Sequence, residues 1–134
     1  MAKTLTILWR SGSMMAMDVN VAVNLAKAAK AKGYAVKMFG YGEGVTAVKN
    51  GQNPKRFPNV GKELEQMARE GVEIAVCETC WAARGFQRGE EIPGVKVGSL
   101  TNDLFKMIEY DTSKGKVWVE IDATKSEAEE AEPI

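Results

Sequence analysis

The chain has 134 residues, a length that suits one compact domain, and its 45% hydrophobic and 27% charged residues are ordinary for a globular protein. The 18 basic and 18 acidic residues cancel, and no basic run is interleaved with aromatic residues, which argues against direct binding to nucleic acid. The chain contains no histidine, which excludes Cys-His nucleophiles, Ser-His-Asp triads and most zinc sites.

The N-terminal stretch "MAKTLTILWRSGS" lacks the long apolar core of a signal peptide. No apolar run in the chain approaches the length of a membrane span. We therefore expect a cytoplasmic protein without a membrane span.

The first forty residues predict a strand–helix–strand unit. The stretch "KTLTILW" is β-branched and apolar, which is typical of a buried strand. The helical pattern "VNVAVNLAKAAKAK" follows, with Asp18 as the expected cap and Gly33 as the expected stop. The second strand is "YAVKMFGY", and such a unit closes as a right-handed, parallel crossover.

A long connection, "GEGVTAVKNGQNPKRFPN", separates this unit from the next helix. Its glycines, asparagines and prolines predict a loop with one short helical turn. The connection is longer than a compact domain needs, so we expect it to cover a site or a partner surface. Lys49, Lys55 and Arg56 are candidate steering charges for an acidic partner.

The rest of the chain continues the alternation. The helix "VGKELEQMARE" is expected to be capped by Asn59 and stopped by Gly71, and the strand "VEIAV" follows. A short helix, "CETCWAAR", is ended by Gly85, and "VKVG" is a fourth strand. The helix "NDLFKMIEY", capped by Ser99 or Thr101, and the strand "KVWVEI" complete the set.

This alternation predicts an α/β sandwich of three layers around a mostly parallel, five-stranded sheet. We expect residues 1–125 to form a single domain. Residues 126–134 are expected to be a disordered, acidic tail, because that segment holds four glutamates: Glu127, Glu129, Glu130 and Glu132.

Both cysteines lie at the end of the third predicted strand, as Cys77 and Cys80. In an open parallel sheet, chemistry collects beyond the carboxyl ends of the strands, and amide N–H groups at a helix start favour a thiolate. Arg84 and Arg88 are expected to add positive charge or to bind an anionic sulfur species. The neighbouring carboxylate of Glu78 opposes a thiolate. These residues are the candidate site.

Four interpretations of the two cysteines remain open on the residues alone. They are small core residues, a thioredoxin-like dithiol, half of a metal site completed by a second subunit, or a persulfide carrier. The stretch "GYGEG" has neither the lysine of a phosphate loop nor the spacing of a dinucleotide fingerprint, so no cofactor is expected.

Several large apolar residues are candidates for contacts with a partner. Met14, Met15 and Met17 follow the first strand and could form an adaptable wall near Cys77, although residue type alone favours ordinary core or subunit packing. Trp81 could shield the thiols, anchor an interface or simply be buried. The candidates that we expect to be exposed for subunit contacts are Met14, Met15, Phe39, Tyr41 and Trp81.

The stretch "CETCWAARGF" resembles the DsrE/TusD family of small α/β proteins of intracellular sulfur transfer, in which a strand ends in a cysteine followed by a short helix and an Arg-Gly pair. Two further stretches are similar to that family: "MFGYGEGVTAV" and "VGSLTNDLFKMIEYDTSKGKVWV". The resemblance covers residues 3 to 121 in order and spacing, and its strength lies in the ordered set.

The resemblance implies a Rossmann-like fold, assembly as trimers or hexamers, and, in some members, a persulfide exchanged with a small carrier of the TusA kind. Carried over to this chain, Cys77 takes the sulfur-carrier role and Arg84 and Gly85 match the Arg-Gly pair. Cys80 has no counterpart in the single-cysteine members, which leaves open a disulfide or a persulfide resolved by the second thiol. If the protein is an enzyme, the resemblance implies a sulfurtransferase.

Overall fold

A computed structural model describes residues 3–12, 17–55, 58–109, 117–121 and 129–131. These residues form six strands: β1 (Thr4–Trp9), β2 (Ala35–Gly40), β3 (Glu73–Cys77), β4 (Lys96–Gly98), β5 (Val117–Ile121) and β6 (Glu129–Ala131). They also form four α-helices: α1 (Asp18–Ala31), α2 (Val60–Arg69), α3 (Glu78–Ala83) and α4 (Phe105–Glu109). A 3₁₀ helix covers Gly42–Val48, and a π-helical turn covers Leu100–Leu104.

The strands form one sheet in the order β4-β3-β2-β1-β5-β6, in which β1 to β5 are parallel. The chain moves in one direction from β1 to β4 and then returns past β1 to reach β5. Because such crossovers are right-handed, α1 and α2 lie on one face of the sheet and the π-helical turn with α4 lies on the other. The predicted three-layer α/β sandwich with a mostly parallel sheet is confirmed.

The core lies mainly between the sheet and α1 and α2. Parallel strands buried on both faces read as continuous apolar runs, and all six residues of β1 are buried. Val19, Val23 and Ala26 of α1 and Leu64 and Met67 of α2 are buried against the sheet. The amphipathic helices of the sequence therefore bury the faces that their periodicity predicts.

The predicted helix signals are confirmed at most ends. The Asn59 side chain accepts the Lys62 N–H at 3.1 Å, and the Ser99 hydroxyl accepts the Asn102 N–H at 2.8 Å, so Ser99 rather than Thr101 is the cap. Gly33, Gly71 and Gly85 follow their helices with positive φ.

The cap predicted for α1 is wrong. Asp18 is the first residue of the helix rather than the residue before it, and the preceding Met17 makes no side-chain cap. The carboxylate of Asp18 instead accepts a hydrogen bond from the Ser11 hydroxyl at 3.1 Å. In the first turn of a helix, this negative charge still stabilises the positive end of the helix dipole.

Three residues of the acidic tail are described, and Glu129–Ala131 pair with β5 as a short antiparallel strand. The physical reason is that β5 would otherwise be an edge strand, and its free backbone N–H and C=O groups can accept a further strand. The expectation for the segment 126–134 as a whole stays a prediction. The boundary of the single domain at residue 125 also stays a prediction.

The loop connection also contains more structure than expected. The predicted helical turn is present as the 3₁₀ helix Gly42–Val48, and it is part of the core, because Val45, Ala47 and Val48 are fully buried.

Among the described residues, no helix is long and apolar enough to cross a membrane.

Candidate functional site

The carboxyl ends of four neighbouring strands meet at one edge of the sheet, at Trp9, Gly40, Cys77 and Gly98. The segments that follow these residues therefore lie side by side. The 3₁₀ helix follows β2, and α3 follows β3; the two are in direct contact. This is the edge where the sequence predicts the chemistry of an open parallel sheet.

Cys77 lies at the junction of β3 and α3, as predicted. It is the last residue of the strand, and its backbone is still extended, with φ −70° and ψ 122°. Only 4% of its surface is exposed, and its thiol is free. A cysteine in this position is held by the sheet on one side and by the start of a helix on the other.

Cys80 follows three residues later, one helical turn into α3, and is partly exposed. Its thiol is also free, and because Cys77 is the N-cap residue of α3 and Cys80 its third residue, the two side chains lie on the same side of the helix start. The backbone N–H of Gly42 donates a hydrogen bond to its sulfur at 3.3 Å.

The pKa of Cys80 lies above its usual value. Burial is the largest cause, and contact with the Cys77 thiol raises the pKa further. The Gly42 N–H and the positive charge of Arg84 favour the thiolate but do not outweigh burial. At neutral pH, Cys80 is therefore a protonated thiol and a weak nucleophile.

The turn that supplies the Gly42 N–H is built on Trp9. The indole N–H of Trp9 donates to the Gly44 carbonyl at 2.7 Å, and both Gly40 and Gly44 lie against the indole too closely for a Cβ atom. Gly42 adopts φ +61°, which favours glycine. The glycines of "GYGEG" therefore place an amide at Cys80, a role that sequence reasoning missed. The available signal was a Gly-x-Gly-x-Gly pattern directly after a strand.

Arg84 is brought to the cysteines, as predicted. Its guanidinium donates to the Cys80 carbonyl at 2.9 Å and to the Glu43 carboxylate at 2.7 Å. The buried Nε finds no acceptor among the described residues. Arg84 therefore joins α3 to the 3₁₀ helix and keeps one buried donor, Nε, without an acceptor among the described residues.

Arg88 is placed differently. Its guanidinium pairs with the Glu78 carboxylate at 2.6 Å and donates to the Val97 carbonyl at 3.1 Å, and 69% of its side chain is exposed. The structure thus places Arg84, and not Arg88, in direct hydrogen-bond contact with Cys80 among the described residues. The pairing also offsets the negative charge of Glu78, which was expected to oppose a thiolate at the start of α3.

The end of β4 lies beside Cys77 in the sheet. Gly98 pairs with Cys77, and its Cα faces the carboxylate of Asp103. This carboxylate accepts a hydrogen bond from the Ser99 N–H at 2.7 Å and forms an ion pair with Lys96 at 2.6 Å. Burial would raise the pKa of Asp103, but these partners outweigh it and hold the pKa below its usual value.

The structure shows how exposed some of the large apolar candidates for partner contacts are. Trp81 and Phe39 are 1% and 0% exposed, so the prediction that they are exposed is wrong. Trp81 packs edge-on against Phe86 and donates its indole N–H to the Gln87 carbonyl at 2.9 Å, which is plain burial. Tyr41 is half-buried, and Met17 is exposed. Met14 and Met15 lie outside the described residues.

Within the described part of the chain, no three cysteine, aspartate or glutamate side chains converge on a point that could hold a metal ion. Around Cys80, the Gly42 N–H donates to the sulfur and the Arg84 guanidinium donates to the backbone carbonyl. Such a site can hold one thiol in reach of a second and can stabilise an anionic sulfur with an N–H group and a guanidinium.

Comparison with known proteins gives one family. Residues 5–112 match the model of the DsrE/DsrF-like family. Uncharacterized protein MK0008 of Methanopyrus kandleri is 36% identical over 87 residues, which are 65% of this chain and 71% of that protein.

Two solved structures share the fold. The crystal structure of the ychN protein from E. coli superposes with a TM-score of 0.76 at 24% identity, over 91% of this chain and 99% of that one. The structure of MTH1491, a protein of unknown function from Methanobacterium thermoautotrophicum, superposes with a TM-score of 0.65 at 12% identity, over 90% and 99% of the two chains. At these identities, the superpositions show the fold alone.

Proposed function

Because the chain belongs to the DsrE/DsrF-like family, we propose that it is a cytoplasmic sulfur-relay protein that carries sulfur as a persulfide on Cys77 and exchanges it with a small TusA-like carrier. The supporting observation is the position of Cys77 at the carboxyl edge of the sheet, almost buried and three residues before a second free thiol on the same helix start. A persulfide formed there is shielded from stray reductants on the side of the sheet.

The proposed transfer is a thiol exchange without net oxidation. The Cys77 thiolate attacks the outer sulfur of the carrier's persulfide, the sulfur–sulfur bond of the carrier breaks, and the carrier thiolate leaves. The reverse reaction unloads Cys77. The protein then acts as a sulfurtransferase whose only reacting group in the transfer itself is a cysteine.

The other candidate residues take supporting roles in this proposal. Arg84 stabilises the negative charge of the persulfide through its guanidinium, which retains a free N–H donor on Nε. Arg88 is exposed near the start of α3 and is assigned to contacts with an acidic carrier. Lys49 and the exposed Lys55 offer further positive charge for such a partner, whereas Arg56 lies outside the described residues.

We also propose that the protein assembles as a trimer or a hexamer. Among the residues that the structure describes, the large apolar side chains that are exposed are Met17, Val21, Leu100 and Phe105, and such residues favour subunit contacts. The connection that begins at Gly42, which donates its N–H to Cys80 of the same chain, is proposed to lean over Cys77 of a neighbouring subunit as well. Light scattering coupled to size-exclusion chromatography is expected to give three or six times the mass of the chain. A monomer mass at micromolar concentration would contradict assembly.

A dithiol redox protein is the second candidate, because two free thiols lie at the start of α3, one on the N-cap residue and one on the third helical residue. Such a protein would reduce disulfides catalytically and would need both cysteines. The redox function therefore consumes a reductant, whereas the sulfur-relay function consumes a persulfide donor.

Incubation with polysulfide, followed by rapid desalting and intact mass spectrometry, tests the proposed function. We expect the protein to take up sulfur on a cysteine and to pass it to the thiol of a TusA-like carrier. We expect little reduction of insulin by dithiothreitol above the uncatalysed rate. Efficient insulin reduction, lost in either single cysteine variant, would favour the redox function instead.

A further inference from the structure

We propose that Cys80 is the resolving thiol of this site: it attacks the Cys77 sulfur of a Cys77 persulfide, forms a Cys77–Cys80 disulfide and releases the carried sulfur as hydrogen sulfide. The inference rests on the proposed function, because it needs a sulfur atom on Cys77. It adds a second fate for that sulfur besides return to a carrier.

The first step of the argument is proximity. Cys77 is the N-cap residue of α3 and Cys80 is its third residue, a spacing that places the two side chains on the same side of the helix start. Cys77 itself is only 4% exposed. A thiol from solution must therefore enter the site, while Cys80 is held within reach by α3. Holding two reacting groups together in this way raises their effective concentration by orders of magnitude.

The second step is the support given to the attacking sulfur. The Gly42 N–H points at the Cys80 sulfur, and the Arg84 guanidinium binds the carbonyl of the same residue. Both groups favour the thiolate form of Cys80, which is the nucleophile. A cysteine that served only as a small core residue would need neither of them.

The reaction balances without an external oxidant. The bond between the Cys77 sulfur and the outer sulfur breaks, and its electron pair leaves with the outer sulfur as HS⁻. A new bond joins the two cysteine sulfurs, and the proton of the Cys80 thiol ends on the sulfide. The carried sulfur is reduced, and the two cysteines are oxidised to the disulfide. A small dithiol or two monothiols from solution then restore the free cysteines.

The environment of Cys80 makes this release slow at neutral pH. Burial and the Cys77 thiol on β3 raise the pKa of Cys80, while Arg84 on α3 and the Gly42 N–H act in the opposite direction; the charge of Arg84 is partly offset by Glu43 of the 3₁₀ helix. Since only the thiolate attacks, the rate of sulfide release should rise with pH until Cys80 is ionised. A loaded protein therefore keeps its sulfur at neutral pH for a carrier.

The test compares wild-type protein with the Cys80→Ser variant after loading with polysulfide and desalting without reductant. Intact mass and released sulfide are followed across a pH series. We expect the wild type to convert from the persulfide to the disulfide with one sulfide released per chain. In Cys80→Ser the persulfide should last at least about tenfold longer. Unloaded wild type under argon is the control, and it should form no disulfide.

The Arg84→Gln variant provides a second measurement, the pH profile of sulfide release, which would not change if Arg84 had a purely structural role. Removing the guanidinium removes a charge that lowers the pKa of Cys80, so the pH profile of sulfide release should shift to higher pH. An unchanged profile would count against the support assigned to Arg84.

The outcomes separate the two proposals. A persulfide that persists equally long in wild type and Cys80→Ser, with no disulfide, overturns the resolving role and leaves the proposed function standing. If Cys80→Ser takes up no sulfur on Cys77 at all, the proposed function fails, and this inference fails with it.

Discussion

Replacing Cys77 by serine is expected to abolish the uptake of sulfur from polysulfide, whereas Cys80→Ser should still take up sulfur. The reason is that the remaining thiol in Cys77→Ser is Cys80, and burial, the largest cause of its raised pKa, is unchanged by the substitution. Cys80 therefore stays protonated at neutral pH and reacts poorly. Intact mass spectrometry after a short incubation measures the added sulfur in both variants.

The two variants are matched controls for each other, because each replaces one thiol by a hydroxyl of similar shape. Far-UV circular dichroism should show that both remain folded. The assignment of the carrier role to Cys77 is wrong if Cys77→Ser gains as much sulfur as the wild type. Prior alkylation of the cysteines should abolish uptake in every variant.

The order of strands and helices could be predicted because it depends on local signals. Asn59, Ser99 and the glycines that end the helices act within a few residues of their own position. The apolar periodicity of α2 and the continuous apolar run of β1 likewise report burial directly. The position of Cys77 followed from the same signals, since a strand end and a helix start define it.

What could not be predicted depends on contacts between distant parts of the chain. The hydrogen bond from Gly42 to Cys80 joins residues 38 positions apart, and the ion pair from Arg84 to Glu43 joins residues 41 positions apart. The exposure expected for Phe39 and Trp81 was wrong for a related reason. Large aromatic residues serve cores and interfaces alike, and only the packing of a sheet covered on both faces decides between them.

Arg84 and Arg88 show that even within one short segment the sequence does not predict which contacts each residue makes. Both are positive residues after α3, and nothing in the local sequence separates their roles. The structure directs Arg84 to the Cys80 carbonyl and Arg88 to Glu78 and the Val97 carbonyl of β4. The difference arises from the direction in which the chain leaves the helix.

The close packing of Gly40 on Trp9 gives the second prediction with a large expected effect. Gly40→Ala is expected to lower the free energy of unfolding by about 3 kcal/mol, at the upper end of the usual cost of overpacking. A Cβ atom at Gly40 would lie 2.5 Å from the Trp9 ring and 3.0 Å from a methyl group of Val76. Trp9 has no exposed surface, and its indole N–H is bound to the Gly44 carbonyl, so the ring cannot move aside.

Gly61→Ala is the matched control, because it adds the same methyl group at a buried position of α2. Its Cβ would meet the nearest atoms, on Asn59 and Ala47, at 3.4 and 3.6 Å, which is ordinary contact. Alanine is also favoured over glycine in a helix by about 1 kcal/mol, so this variant should be as stable as the wild type or more stable. Urea denaturation measures both variants, and a change in midpoint at constant slope isolates stability. Gly40→Ala as stable as Gly61→Ala would mean that the indole of Trp9 does not fill this edge of the sheet, and the placement of the Gly42 amide at Cys80 would then lose its support.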